Sequence, residues 1–205
     1  GKVYLKQSPD FENKANYTFD VTVSDGAFSD TKTIVLSIND INDAPVITTI
    51  APTSIKEDTA YSYTLIASDQ DDGDTLTLSA GALPSWLTFD GANGVLSGTP
   101  ENSDVGTHDI SLKATDIAGA IASESFQIEV INVNDAPVIT SNLTSSVDEN
   151  TLSSVAVYST TATDVDNETL RYTMSGVDES YLQINETTGK VYLKQSPDFE
   201  NKANY

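Results

Sequence analysis

INDINDAPVIT spans Ile38–Thr48 and VINVNDAPVIT spans Val130–Thr140, and the prolines they share, Pro45 and Pro137, lie 92 residues apart. The same spacing separates SIKEDT (Ser54–Thr59) from SVDENT (Ser146–Thr151), and SDQDDGDTLTLSA (Ser68–Ala80) is echoed by TDVDNETLRYTMS (Thr163–Ser175). A longer period encloses this one: GKVYLKQSPDFENKANY occupies Gly1–Tyr17 and recurs unchanged at Gly189–Tyr205, 188 residues on. Identity over seventeen residues is no coincidence, and it marks the chain as a stretch of a periodic array. The 188-residue unit then holds two related domains of 92 and 96 residues, each the size of one small sandwich. The spacing predicts one complete domain at 44–135. Residues 1–43 read as the C-terminal part of the other domain type, and 136–205 as the N-terminal part of that same type, with 189–205 repeating 1–17.

Between the repeated motifs, apolar residues alternate with polar ones at period two, with no helical stripe. Tyr17, Phe19, Val21 and Val23 alternate with Thr and Asp; Ile34, Leu36 and Ile38 do the same, as do Tyr61, Tyr63 and Leu65, Ile110, Leu112 and Ala114, and Phe126, Ile128 and Val130. Gly-, Asp- and Asn-rich clusters (SDGAFSD, DQDDGD, DGANG, DIAG) separate these runs. The pattern predicts an all-β chain of tandem antiparallel β-sandwiches.

Composition narrows the partners. The 205 residues carry 31 acidic against 10 basic side chains, a net charge of −21. Such a surface lacks the basic footprint that phosphates require, so nucleic acid is excluded as a partner and anionic membranes are disfavoured. No run approaches the roughly 20 apolar residues that span a bilayer, so no membrane insertion is expected. Cysteine is absent, which excludes disulfides and thiolate metal sites. What remains for the carboxylates is a solvated coat or a cation site.

The linker Asp40-Ile41-Asn42-Asp43-Ala44-Pro45 stands with four further acidic motifs: Asp148-Glu149-Asn150, Asp164-Val165-Asp166, Asp198-Phe199-Glu200 (copied at Asp10-Phe11-Glu12) and Val23-Ser24-Asp25. In kind and in order these motifs resemble cadherin-type repeats. LPSWLTFDGANGVLSGTP (Leu83–Pro100) in the central domain resembles the signature of dystroglycan-type cadherin-like domains of large bacterial surface adhesins. The resemblance implies Ig-like/cadherin-like sandwiches joined by short linkers that bind several Ca²⁺ ions, in an extracellular cell-surface or secreted protein. Carried over residue by residue, it implies that the first linker uses Asp10, Glu12, Asp40, Asn42 and Asp43 from its own side and Asp69, Asp71 and Asp116 from the central domain. The glutamate equivalent to Glu149 would lie upstream of Gly1. The second linker would use Glu57, Asn132, Asn134 and Asp135, with Asp164 and Asp166 beyond it and Glu101 alone where DFE stood. Asn132 replaces the first linker's Asp40, so the second site is expected to hold fewer ions or hold them less tightly. The chemistry agrees with the residue types, because Ca²⁺ takes six to eight oxygens from carboxylates, amides and backbone carbonyls.

Other residues read more plainly. Asp30, Asp90 and Asp178, taken singly, are turn formers. Trp86, between Leu83, Leu87 and Phe89, is expected to plug the end of a sandwich rather than to stack on a sugar. His108 is expected at the surface of a strand edge. No nucleophile–base pair accompanies it, and the chain reads as no enzyme. The leading function is a calcium-rigidified spacer or adhesion segment in contact with neighbouring repeats of its own chain. The alternative is a calcium-dependent carbohydrate-binding or self-associating module, with Tyr61, Tyr63 and Trp86 as the available polysaccharide platform. Self-association would be homophilic, or head to tail by completion of the divided domain.

Overall fold

The structure, a computed structural model, describes residues 1–200, 202 and 204. It divides into two compact units, Gly1–Asn132 and Val133–Tyr205. The first opens with a hairpin of β1 (Asn16–Ser24) and β2 (Ser29–Ser37), paired antiparallel from Asn16↔Ser37 to Ser24↔Ser29. Alternation places Phe19, Val21, Val23, Ile34 and Leu36 on one face. On the other face Thr33 donates to Asp20 Oδ1 at 2.6 Å, and the hydroxyls of Thr22 and Thr31 meet at 2.8 Å. Asp25 closes the turn, its Oδ1 accepting the amides of Phe28 and Ala27 at 2.7 and 2.9 Å. Those two amides, Phe28's first, hold its carboxyl below the usual range.

The rest of the first unit is a two-sheet sandwich. Two short strands, β3 (Val46–Ile47) and β6 (Ala67–Ser68), pair with each other. One larger sheet runs β4 (Ser54–Lys56), β11 (Ile121–Ile131), β10 (Gly106–Thr115), β7 (Thr77–Ala80); the other runs β5 (Tyr61–Thr64), β9 (Val95–Gly98), β8 (Leu87–Asp90). Every pairing is antiparallel except β4 beside β11. The period-two residues of the sequence supply the core from both sides: Tyr61, Tyr63 and Leu96 from one sheet, Ile110, Leu112, Ile128 and Val130 from the other. Trp86 is buried with its ring edge-on to Tyr61, centroids 6.1 Å apart. A Cβ on Gly98 would lie 1.8 Å from the Trp86 carbonyl oxygen, so only glycine lets β9 pass the Trp86 backbone. Burial pushes the Tyr61 phenol up to about 12, helped by Tyr63 and Glu124.

The surface position expected for His108 is corrected here. The residue is half-buried: its Nε2–H donates to the Asp104 carbonyl at 2.6 Å, and its ring packs edge-on to Trp86 at 5.8 Å. Alternation along β10 turns His108 to the same side as Ile110 and Leu112, which is the core side. Asp90 behaves as a turn former, its carboxylate accepting the Asn93 side chain at 2.7 Å and the Ala92 amide at 3.0 Å.

The second unit pairs β12 (Val138–Ile139) with β14 (Ala162–Thr163), and joins β13 (Ala156–Ser159), β16 (Lys190–Leu193) and β15 (Leu182–Ile184) into one antiparallel sheet. This order repeats β3–β6 and β5–β9–β8. Among the described residues of this unit, no strand occupies the places of β10 and β11. The repeated seventeen residues meet two different surroundings. As β16, between β13 and β15, they bury Val191 and Leu193, whereas the identical Lys2–Leu5 joins no sheet and leaves Val3 and Leu5 exposed. Neighbouring strands, not local propensity, make this segment a strand.

Leu112 is fully enclosed, so Leu112→Ala is expected to lower the stability of the central sandwich by about 2–5 kcal/mol in urea titration. Val35→Ala, on the hairpin's outer face, is expected to change it by less than about 0.5 kcal/mol. Equal effects would mean that the β10–β11 face does not build the core.

Candidate metal centre

The first linker leaves β2 tethered, the Ile38 amide donating to the Ala15 carbonyl at 2.8 Å, and then runs extended through Asp40–Pro45. It meets the loop Asp69–Asp74, which connects β6 to β7. That loop is folded by its own aspartates: the Asp71 amide donates to Asp69 Oδ1 at 3.1 Å, and the Asp74 amide to the Asp71 carbonyl at 3.2 Å. Two cross-links fasten linker to loop and turn. The Asp43 amide donates to Asp71 Oδ2 at 2.9 Å, and Asn42 Nδ2 donates to Asp116 Oδ2 at 2.8 Å. Asp116 closes the β10–β11 turn, its Oδ1 accepting the amides of Gly119 and Ala120 at 2.6 and 2.8 Å.

This folding collects carboxylates in two groups. Glu12, Asp40 and Asp71 each bring an oxygen to within 4.8 Å of the others, and so do Asp69, Asp74 and Asp116. Asp69 Oδ2, Asp71 Oδ1 and Asp74 Oδ2 are buried with no hydrogen-bond partner. A buried, unsatisfied carboxylate oxygen is costly, and three converging ones suit a hard cation with oxygen ligands. Like charge acts in the same direction. At Glu12 a backbone hydrogen bond to its own amide pulls the pKa down, but desolvation and the charges of Asp40, Asp43 and Asp71 outweigh it, and the net direction is up. Desolvation, then Asp69, Asp116 and Asp71, raise Asp74. Asp116 goes the other way, lowered first by the Asn42 hydrogen bond and then, against burial, by the amides of Ala120, Gly119 and Ala118.

The expected ligands divide accordingly. Glu12, Asp40, Asp69, Asp71 and Asp116 are brought together, with Asn42 and Asp43 bonded among them. Asp10 is not in either group; its Oδ1 accepts the Asn13 amide at 3.0 Å and its carbonyl the Lys14 amide at 3.0 Å, so it caps a turn. Around the second linker, Asn134, Asp135, Asp164 and Asp166 repeat the local skeleton within the second unit. The Asp135 amide donates to Asp166 Oδ2 at 2.6 Å, the Asp166 amide to Asp164 Oδ1 at 2.9 Å, and Asn134 Nδ2 to the Asp135 carbonyl at 2.9 Å. Within the first unit, Glu57 is buried with its amide on the Ile131 carbonyl at 3.1 Å, Asn132 Oδ1 accepts from Asn102 at 3.3 Å, and the Glu101 amide donates to Asp104 at 3.0 Å.

Sequence reasoning missed Asp74 as a site residue. It lies in the quoted DQDDGD cluster, where it reads as one more turn aspartate. It also left Glu149, Asp198 and Glu200 out of the ligand set, although their motifs carry the resemblance; in the structure their carboxylates meet within 4.8 Å. Tyr61, Tyr63 and Trp86 are all buried, so none of them forms an exposed platform for a sugar.

Comparison with known proteins fits this architecture. Residues 44–131 match the family model described as "Putative Ig domain". The "Serine-rich adhesin for platelets" of Staphylococcus aureus strain USA300 is 36% identical over 100 residues, covering 49% of this chain and 4% of the adhesin. The strain MRSA252 protein is 35% identical over 100 residues, covering 49% of this chain and 7% of the adhesin. The chain thus spans only a small part of the relatives it matches. Among solved structures, human CDH23 EC21–23 aligns with TM-score 0.67 and 21% identity over 96% of this chain and 69% of its own. Protocadherin gammaB7 EC3–6, described as a cis-dimer, aligns with TM-score 0.58 and 24% identity over 96% of this chain and 53% of its own. The fold is the cadherin-like β-sandwich, and these relatives and neighbours are adhesive, non-enzymatic proteins. No helix among the described residues is long and apolar enough to cross a membrane.

The raised carboxyls make the cation-free centre respond to pH in a set direction. Glu12 and Asp74, held above their ordinary 4.5 and 3.8, carry a folding penalty that is full at neutral pH and is relieved as pH falls through the raised values. Asp116, held below 3.8, contributes stability that is present above that pH and is lost as pH falls through its lowered value. In calcium-free buffer, mild acidification from neutral pH is therefore expected to raise the melting temperature before stronger acid lowers it. A melt that falls monotonically from neutral pH would refute the carboxylate crowding.

Proposed function

We propose that this chain, an Ig-type and cadherin-like array related in part to surface adhesins, is a calcium-stiffened spacer or adhesion segment of a large repetitive protein held outside the cell. Near-identical tandem copies suit a spacer, in which each unit contacts its neighbours and length is the useful quantity. One observation carries the reading: two carboxylate groups share the Asp69–Asp74 loop, and buried oxygens of Asp69, Asp71 and Asp74 converge there unpartnered.

Glu12, Asp40 and Asp71 would hold one ion, and Asp69, Asp74 and Asp116 another. Bound Ca²⁺ would supply the positive charge that lets these carboxylates stay ionised at close range. The chain's own residues supply the rest. Glu12 and Asp40 come from the hairpin side, and Asp69, Asp71, Asp74 and Asp116 from the sandwich side, so a shared set of ligands ties the two sides together. Asn42 and Asp43 hold the linker in place through Asp116 and Asp71 whether or not an ion is bound. Asp135, Asp164 and Asp166, with the same local bonds as Asp43, Asp69 and Asp71, are assigned the equivalent ligand role in the second linker. Asn132 in place of Asp40 makes that site the weaker one.

Calorimetric titration with calcium is expected to show saturable binding of more than one ion, and X-ray scattering a longer, narrower distance distribution with calcium than with chelator. Asp71→Asn is expected to weaken binding by about tenfold or more, since the residue serves both groups of carboxylates, while Asp90→Asn, in a turn far from them in sequence, leaves it unchanged. Binding heat no larger than ionic screening, with scattering unchanged by chelator, would overturn the reading.

A further inference from the structure

The hairpin β1–β2 and the pair β10–β11 are one element present twice. Their registers agree pair for pair: Phe19 faces Ile34 as Ile110 faces Phe126, Val21 faces Lys32 as Leu112 faces Glu124, and Tyr17 faces Leu36 as His108 faces Ile128. In the central sandwich the inner face of this element is covered, and Leu112, Ala114 and Ile128 are each 0% exposed. On the hairpin, their counterparts Val21, Val23 and Leu36 are 44%, 68% and 38% exposed. The second unit has the reciprocal form. It holds the counterparts of β3–β6 and β5–β9–β8, and it exposes Val147, Leu152 and Val155.

The acidic residues divide in the same way. Glu200, in the second unit, is the copy of Glu12, in the first. Glu12 meets Asp40 and Asp71, while Glu200 meets Glu149 and Asp198. The two groups therefore overlap at one sequence position, as two parts of a single larger cluster would.

We propose that the β1–β2 hairpin of one copy of this chain docks on the Val133–Tyr205 unit of a second copy, in the place that β10–β11 hold in the central sandwich. The occupant is a second copy because the register, the apolar alternation and the seventeen-residue identity all specify that unit. Identical residues at Gly1–Tyr17 and Gly189–Tyr205 fix where the hairpin joins: β16 already occupies the strand position that Lys2–Leu5 leaves unformed. Both copies carry a net charge of −21, so apolar burial drives the docking and added salt strengthens it by screening. The contact joins unlike surfaces and repeats from copy to copy as a string. It rests on the repeat architecture and needs no cation.

Sedimentation velocity of the full chain, with and without calcium, tests it. The average mass is expected to rise above 21.9 kDa with concentration, and further with salt. Val21→Asp with Leu36→Asp is expected to weaken association on the order of a hundredfold or more, while Val35→Asp, on the opposite face of β2, leaves it as in the parent chain. A chain extended after Tyr205 by a second copy of residues 18–43 fills its own acceptor and is expected to remain a single chain, a result that does not depend on how the hairpin variants fold. Single-chain mass at every concentration would overturn the proposal, and so would association of the double variant or the extended chain as strong as that of the parent. Loss of calcium binding with association intact would instead sink the spacer reading alone.

Discussion

Carboxylate crowding around the Asp69–Asp74 loop is the constraint on which the joint between hairpin and sandwich depends. Negative groups within 4.8 Å of one another drift apart in water unless something holds them, and here the backbone does. The amide of Asp71 holds Asp69, the amide of Asp43 holds Asp71, and the amides of Gly119 and Ala120 hold Asp116. Each aspartate thus spends one oxygen on local folding and turns the other toward its neighbours. The fold resists the repulsion, and the raised carboxyls of Glu12 and Asp74 record the strain of doing so.

That resistance comes from the sandwich core. Asp116 follows directly on β10, whose Ile110, Leu112 and Ala114 are sealed between the sheets. The β10–β11 turn cannot shift without moving these side chains, so Asp116 is a fixed point. Asn42 reaches it from the linker, which transmits the rigidity of the core to a segment that has no core of its own. The hairpin lacks such backing, and its apolar face shows the difference: the same alternation that fills the central core stands open on β1 and β2.

The strands were legible in the sequence because period-two alternation maps directly onto the faces of a sheet. Buried Trp86 was legible too, as a large apolar residue among Leu83, Leu87 and Phe89. His108 was misplaced at the surface because imidazole reads as polar, whereas alternation along HDISLKA puts it on the inner side with Ile110. For the site, the linker motif pointed to Asp40, Asn42, Asp43 and their partners, since recurrence at fixed spacing singles them out. Asp10 reads as a ligand by the same logic, but its carboxylate is spent on the Asn13 amide. Asp74 was hidden for the opposite reason. In an Asp- and Gly-rich loop every aspartate looks like a turn former, and only the fold shows which one faces Asp69 and Asp116.

The two linkers separate geometry from charge. Asp135–Asp166, Asp166–Asp164 and Asn134–Asp135 reproduce the bonds of Asp43–Asp71, Asp71–Asp69 and Asn42–Asp43, although Asn132 stands where Asp40 stood. Amide donors and aspartate acceptors are enough to set the path of the chain, and they persist when a carboxylate is exchanged for an amide. The path of a linker is therefore encoded in the N-D-A-P skeleton and the D-x-D loop. Its affinity for a cation is encoded separately, in how many of the surrounding positions are acidic. An array built this way can vary the stiffness of successive joints by single Asp-to-Asn exchanges while every domain keeps the same entry into the next.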